Sequence, residues 1–202
     1  MAPLDTAGWA HNGSGELMNG EPRSQGGADH FMYSQALQGG DVWRMRVEVG
    51  RRAWVGFATE QCNVEKNEET AKSTAWVYLY DGMTIIRSDI SEDGEQHVHH
   101  DLLKDYIPKT LPYDLALRIN KDGNVPQIQF DDDAVWHDFA PDRAAPKPGP
   151  WFPFLQLDEG DRLSDHCVHR PKPTKSAGKT MHKLSYHNIG LTYSSQSTCS
   201  QL

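Results

Sequence analysis

Short runs in which apolar and polar residues alternate recur along this chain, and they predict β-strands. In the clearest run, residues 42–49, Trp43, Met45, Val47 and Val49 alternate with polar side chains, which is typical of a strand with one buried face. Polar and glycine-containing turns separate the runs. The other predicted strands lie within residues 30–37, 53–59, 74–80, 83–86, 113–130, 133–139, 151–157, 161–168 and 183–193.

Two dipeptides predict hairpins. Asp81-Gly82 lies between the runs 74–80 and 83–86, and Asp122-Gly123 lies within 113–130; both are favoured two-residue turns. In the second hairpin, Leu115, Leu117 and Ile119 share one face. Pro126 has no N–H to donate, so we expect its strand to lie at an edge or to begin late.

Helical spacing occurs in one segment, residues 96–106 (QHVHHDLLKDY). Val98, Leu102, Leu103 and Tyr106 repeat at intervals of three and four before Pro108, which predicts a short helix packed on a sheet. The chain therefore predicts an all-β fold, an antiparallel two-sheet β-sandwich of jelly-roll type with at most one or two short helices.

Composition suggests a loosely ordered lead-in at 1–29, a single sandwich domain at 30–193 and a polar tail at 194–202. Whether the lead-in and residues 180–202 pack on the sandwich is left open, although 183–193 is apolar enough to join a sheet.

The net charge and the cysteines limit the partners and the cellular location that we expect for this protein. Twenty basic residues against 28 acidic ones give a net charge of −8, which argues against nucleic acid as a partner. No apolar run is long enough for a membrane span. Cys62, Cys167 and Cys199 are far apart and show no CxxC spacing, so free thiols and a cytoplasmic location are expected. We predict no cofactor and no bound metal, and the oligomeric state is open.

Several stretches, taken in order, resemble SPRY domains. DVWRMRVEVG (41–50) followed by AWVGFAT (53–59), then AWVYLYDGMTII (75–86), the segment 107–140 and GPWFPFLQLDEGDRLSDH (149–166) match the order and spacing of that family over residues 30–168. The chain departs from the pattern at Asp131-Asp132-Asp133, where the family has an Asn-Gly type turn, and in its long loop 87–112.

The resemblance implies a bent β-sandwich that recognises a protein or peptide through loops at one end, without catalysis, in some cases as an adaptor. On that surface the residues expected to bind are Arg51, Arg52, Tyr78, Tyr80, Trp136, Gln156 and Asp158. Arginines on an otherwise acidic protein would suit a peptide that carries carboxylates. Most other aromatic residues are expected in the core, although Trp151, Phe152 and Phe154 cannot all face inward on a regular strand.

Two alternatives involve metal ions. His97, His100 and Asp101 could hold a metal ion and support a metal-dependent enzyme, but no His pair here has the HExxH spacing, and a solvated surface is the simpler interpretation. His166 and His169, with Asp165 and Cys167, are explained by alternation on a late strand. The carboxylates of DDDAVWHDF (131–139) could bind calcium in a carbohydrate-binding lectin of similar architecture, although aspartates are also common in turns.

Overall fold

The residues that the computed structural model describes are 2–3, 8–49, 52–64, 73–91, 93–120, 125–131, 133–140, 149–170, 172–174 and 192–194. In this part of the chain two antiparallel sheets pack face to face, so the predicted all-β sandwich is confirmed. Within the same ranges, no helix is long and apolar enough to cross a membrane.

Strands are numbered in chain order, and one sheet has six of them. In spatial order these are β1 (Ala2–Pro3), β15 (Arg162–His169), β6 (Val42–Val49), β11 (Tyr113–Ile119), β12 (Pro126–Phe130) and β13 (His137–Asp138). The facing sheet consists of β10 (His97–His99), β9 (Thr84–Ile86), β8 (Thr74–Tyr78), β7 (Trp54–Ala58), β14 (Phe152–Leu157), β5 (Asp29–Tyr33) and β2 (Trp9–His11). Two separate pairs are β3 (Glu16–Met18) with β4 (Glu21–Arg23), and β16 (Lys172–Thr174) with β17 (Thr192–Ser194).

Alternation places the core between the two sheets. Trp43, Met45 and Val47 of β6 are buried, as predicted, whereas Val49 is 50% exposed because β6 ends there. The apolar positions of β11 are buried too, and Leu117 lies opposite Ile128 of β12. The six-stranded sheet therefore presents one apolar face to the core and one polar face to solvent.

The predicted hairpin at 113–130 is present as the antiparallel pair β11–β12. β12 begins at Pro126, which pairs with Ile119, so the expectation of a late start is confirmed. A proline at the first position of a strand removes no hydrogen bond from the strand's interior. The turn dipeptide Asp122-Gly123 lies outside the described residues.

The lead-in contributes strands to both sheets. β2 forms the edge of the seven-stranded sheet by pairing with β5, and Trp9 packs on Tyr33 and Trp43 with ring centroids 5.4 and 6.2 Å away. The buried Asp29 carboxylate accepts hydrogen bonds from the Ser14 backbone N–H at 3.0 Å and hydroxyl at 2.9 Å. A buried carboxylate with several donors ties this segment to the sandwich.

The predicted helix over 96–106 is wrong. Residues 97–99 form β10, which pairs with β9, so their backbone groups bond to a neighbouring strand rather than within a helical turn. Asp101 has φ of 56°, a left-handed conformation that cannot continue an α-helix, and residues 100–106 form successive turns. Leu103 is nevertheless buried, as expected for a plug on the sheet, whereas Tyr106 is 52% exposed.

The connection between β8 and β9 is longer than the predicted two-residue turn. It spans residues 79–83 and is closed by hydrogen bonds from Tyr78 N to Met83 O at 2.8 Å and from Gly82 N to Tyr78 O at 2.9 Å. Gly82 has φ of 75°, and a Cβ there would lie 2.3 Å from the Lys104 nitrogen. Glycine is required because the turns at 100–106 pack directly on this connection.

A second apolar cluster covers the outer face of the seven-stranded sheet. Trp76, Ile85 and Phe154 point away from the main core and are packed with Cys62 and Val64 of the loop after β7. This cluster explains how neighbouring aromatic residues of 151–154 can all be buried or partly buried: Trp151 faces the main core and Phe154 faces the opposite way.

In the C-terminal part, β17 pairs with β16 in a sheet of two strands. Thr192 and Tyr193 of β17 belong to the segment 183–193 that was expected to join a sheet. The rest of that segment lies outside the described residues.

Candidate ligand-binding site

Strand ends from both sheets converge at one end of the sandwich. In the seven-stranded sheet Trp54 lies opposite Tyr78 on one side and opposite Gln156 on the other, so the beginning of β7 meets the ends of β8 and β14. In the six-stranded sheet Val49 at the end of β6 pairs with Arg162 at the start of β15. Residues 52–53, which lead into β7, and the connection 158–161, which leads from one sheet to the other, are thereby brought to the same end of the sandwich.

These strand ends enclose a cleft of about 440 Å³. Its lining residues are Val49, Arg52, Tyr80, Asp158, Glu159, Gly160 and Asp161. Tyr80 is 65% exposed and Val49 is 50% exposed, so two large apolar side chains stand in solvent at its walls. Exposed aromatic and arginine side chains beside a concavity are typical of binding surfaces.

A row of aromatic rings leads from the sheet to the cleft. The ring of Trp54 is stacked on Tyr78 with centroids 4.6 Å apart, and Tyr78 in turn contacts Tyr80 at 5.9 Å. On the other side Trp54 packs against Trp76 at 4.9 Å. Because its inner members are held by neighbours on adjacent strands, the row supports Tyr80 from below and limits the motion of its ring.

The turn 158–161 is organised by Asp161. Its buried carboxylate accepts a hydrogen bond from the Asp158 backbone N–H at 3.0 Å, while the Asp161 N–H donates to the Asp158 carbonyl at 3.1 Å. Gly160 has φ of 86°, which a tight turn of this kind requires. The side chains of Asp158 and Glu159 are consequently directed to the surface of the cleft, where Asp158 is partly exposed and Glu159 is exposed.

Two ionisable groups at the cleft are perturbed. Burial raises the pKa of Asp161, and this effect is opposed by hydrogen bonds from the Asp158 and Arg52 backbones and by the Arg52 charge. Burial also raises the pKa of Tyr78, with Arg52 acting in the opposite direction and the carboxylate of Asp158 adding to the increase. Both shifts place Arg52 and the acidic turn within electrostatic reach of the aromatic row.

The structure brings together most, but not all, of the residues expected to bind. Arg52, Tyr80 and Asp158 line the cleft, and Tyr78 contacts Tyr80. Gln156 lies within β14, two residues before Asp158, and its Oε1 is 3.0 Å from the His30 Nε2. Arg51 lies outside the described residues.

Trp136 lies elsewhere. It precedes β13 on the outer face of the six-stranded sheet, where the Arg118 guanidinium lies 4.0 Å from its ring centroid. Arg118 also donates to Gln127 at 2.8 Å, and Gln127 donates to Asp138 at 2.6 Å. Trp136 therefore covers a polar network and does not contribute to the cleft.

Four lining residues were not foreseen: Val49, Glu159, Gly160 and Asp161. Alternation places Val49 with the inward residues of β6, and only the end of the strand at that point exposes it. The acidic turn carried a signal, since Asp158-Glu159-Gly160-Asp161 is a polar turn sequence directly after a predicted strand.

The histidines of 96–106 are not assembled into a site. The His97 Nε2 lies 2.9 Å from a carboxylate oxygen of Asp93, while Asp101 forms an ion pair with Lys104 at 3.3 Å and His100 is exposed. Hydrogen bonds from Ser91 and His97 lower the pKa of Asp93. His97 and Asp101 are thus each paired with a different neighbour, and His100 points to solvent.

The second histidine group differs from the predicted alternation. A bulge between Ser164 and Cys167, with Asp165 at φ of 55°, turns His166 into the core against Trp43. Asp165 is exposed, so the carboxylate and the imidazole face different environments. A bulge re-aims one side chain in this way without ending the strand.

The carboxylates of 131–139 are likewise dispersed. The side chain of Asp131 accepts from the Asp114 N–H at 3.0 Å, and that of Asp138 accepts from Gln127. Asp132 lies outside the described residues. Throughout the described ranges, no three His, Cys, Asp or Glu side chains are grouped closely enough to hold a metal ion.

Solved structures share this fold. The SPRY domain of human HERC1 has a TM-score of 0.55 at 11% identity, with 81% of this chain and 96% of that domain covered. A carbohydrate-binding module, CBM66 from Bacillus subtilis, has a TM-score of 0.50 at 15% identity, with coverages of 80% and 94%. Galectin-Ib from Xenopus laevis is more distant, with a TM-score of 0.42 at 11% identity and coverages of 68% and 97%.

The expected resemblance to SPRY domains is confirmed at the level of the fold. No family model matches the sequence, and no curated protein matches it. A SPRY domain and a carbohydrate-binding module are thus both similar to this chain in fold.

Proposed function

We propose that this protein is a non-catalytic recognition module that binds a protein or peptide in the cleft at the loop end of the sandwich. The observation that carries the proposal is Tyr80, whose ring is 65% exposed at the wall of the cleft although its neighbours are packed in an aromatic row. An ordered aromatic ring kept in solvent offers a large contact area at low entropic cost on binding.

The dimensions of the cleft agree with a short peptide segment. A volume of about 440 Å³ accommodates one or two side chains rather than a globular domain surface. The cleft also contains backbone from the acidic turn 158–161 and the side chain of Arg52, which supply polar groups of both charges for orientation.

A random peptide library displayed on phage, followed by affinity measurements on the selected peptides, tests the proposal. Tyr80→Ala should weaken binding by at least about tenfold, since truncation of a central aromatic anchor commonly costs more than 1 kcal/mol. Tyr106→Ala is a matched control, because Tyr106 is also exposed but packs on His137, with ring centroids 3.9 Å apart. Equal loss of affinity in both variants, or no loss in either, would contradict this proposal.

Carbohydrate is the second candidate ligand. An exposed tyrosine ring can stack on a sugar, and partly exposed carboxylates such as Asp158 can accept hydrogen bonds from hydroxyls. A glycan array probed with and without calcium distinguishes the two. Strong glycan binding that is lost in Tyr80→Ala, together with an unproductive peptide selection, would favour this alternative, and dependence on calcium would favour its lectin form.

A further inference from the structure

We propose that the cleft accepts a cationic side chain of its ligand, an arginine or a lysine; this inference rests on the proposed function of peptide recognition. It differs from the expectation drawn from the arginines alone, which was a ligand carrying carboxylates. The reason lies in the residues that the fold brings together around Tyr80.

In the part of the chain that the structure describes, the charged groups lining the cleft are mainly acidic. Asp158, Glu159 and Asp161 contribute three carboxyl groups to its lining, and Arg52 contributes one guanidinium. Arg162 follows Asp161 directly in the chain, but its Nε lies 2.7 Å from a carboxylate oxygen of Glu48. The Glu48 carboxylate also accepts a hydrogen bond from the Ser164 hydroxyl. Within the described ranges, Arg162 is therefore already paired with a carboxylate outside the turn.

The two surface carboxylates of the turn are not held in ion pairs. Among the residues that the structure describes, neither Asp158 nor Glu159 forms a salt bridge, and the Asp158 backbone is fixed by its two hydrogen bonds with Asp161. Asp161 is only 5% exposed, so its role is to hold the turn, whereas Asp158 and Glu159 are available to a ligand. Unpaired carboxylates at fixed positions favour a charged donor over a neutral one.

The apolar walls suit the rest of such a side chain. Arginine and lysine carry three or four methylene groups, which can pack on exposed apolar surface while the charged end reaches carboxylates. Val49 and Tyr80 provide that surface beside the acidic turn. A guanidinium can in addition lie over the tyrosine ring, an arrangement that exposed cation–π pairs stabilise modestly.

NMR titration of the full chain with N-acetyl-arginine methylamide tests the inference, with the citrulline and glutamate analogues as probes of matched size. We expect the arginine probe to shift the amides of Val49, Tyr80 and residues 158–161. We expect the citrulline probe to bind at least about fivefold more weakly, because it lacks the charge.

Variants separate a specific site from general attraction to an acidic protein. The double variant Asp158→Asn with Glu159→Gln should lower the affinity for the arginine probe at least about fivefold. Glu95→Gln with Asp105→Asn removes two exposed carboxylates elsewhere and should leave the affinity unchanged. Arg52→Gln should increase the affinity for the arginine probe, since this variant removes a like charge from the cleft.

Equal binding of the arginine and citrulline probes, or tighter binding of the glutamate probe that Arg52→Gln abolishes, would overturn the inference. Absence of any shift at the cleft would overturn it as well. The proposed function is judged separately by the selected peptides: if these depend on Tyr80 but show no preference for arginine or lysine, the cationic ligand is wrong and peptide recognition stands.

Discussion

The outer faces of the two sheets differ sharply. On the seven-stranded sheet, Trp76 and Phe154 point outward yet are buried, because the loop after β7 packs over them. On the six-stranded sheet, Arg46 and Asp114 form an exposed ion pair at 3.0 Å, and Arg118 lies under Trp136 within a hydrogen-bonded network. One outer face is a second core, and the other is a solvated polar surface.

This difference follows from the sequences of the strands. β6 alternates between buried and partly exposed positions, whereas β7 (WVGFA) and β8 (TAWVY) are buried at nearly every position. A strand without alternation must be covered on both sides. The covered outer face of the seven-stranded sheet also explains the position of the candidate site. The aromatic row begins in that face, continues through Tyr78 and ends in solvent at Tyr80.

The largest effect should come from opening the covered face. Phe154→Ala removes a fully buried ring from the second cluster and should lower the free energy of unfolding by about 3–5 kcal/mol. Arg46→Ala on the other face should cost less than about 1 kcal/mol, because its ion pair with Asp114 is exposed. Urea unfolding followed by tryptophan fluorescence measures both. Similar costs would mean that the two outer faces are not distinct in energy.

The next effect concerns His166, which the bulge in β15 transfers from the polar side of its strand to the core. Burial lowers the pKa of His166 to about 4, with a hydrogen bond to the Leu163 carbonyl opposing the shift and the charge of Arg23 adding to it. Below pH 6.5 the unfolded chain binds a proton at this residue that the folded chain does not. The contribution of the neutral His166 to the free energy of unfolding should therefore be fully present above pH 6.5. It should decrease by about 3 kcal/mol as the pH falls to about 4.

Urea unfolding of the native chain and of His166→Phe at several pH values measures the pH-dependent contribution of His166 to stability. Phenylalanine keeps an aromatic ring between Trp9 and Trp43 but cannot be protonated, so its stability should fall less steeply with decreasing pH. The slope is compared rather than the absolute stability, because phenylalanine changes the packing as well. Parallel curves for the two proteins between pH 6.5 and 4 would show that His166 is not the titrating group.

The smallest effect is expected on the polar face. Trp136→Ala removes the ring over the Arg118 guanidinium and should cost about 1 kcal/mol, while Trp136→Phe should retain part of the interaction. Urea unfolding again gives the values. A cost for Trp136→Ala as large as that of Phe154→Ala would indicate that Trp136 belongs to a covered cluster, which would remove the contrast between the two faces.

Much of the fold could be predicted because the information is local. Trp43, Met45 and Val47 show the period of two that a half-buried strand requires, and Pro126 correctly marks the first residue of β12. The helix over 96–106 could not be corrected from spacing alone. The same apolar positions are compatible with a short strand followed by turns, and the pairing of β10 with β9 decides between them.

The candidate site shows where local information ends. The sequence by itself determined that Tyr78, Tyr80 and Asp158 lie at the ends of predicted strands, and that the chain as a whole is acidic. Only the tertiary structure decided which strand ends meet. The ends of β6, β8 and β14 and the starts of β7 and β15 adjoin because the register of two packed sheets places them there, and alternation within a single strand contains no information on that register. For the same reason Trp136, equally aromatic in the sequence, lies on the other sheet over Arg118.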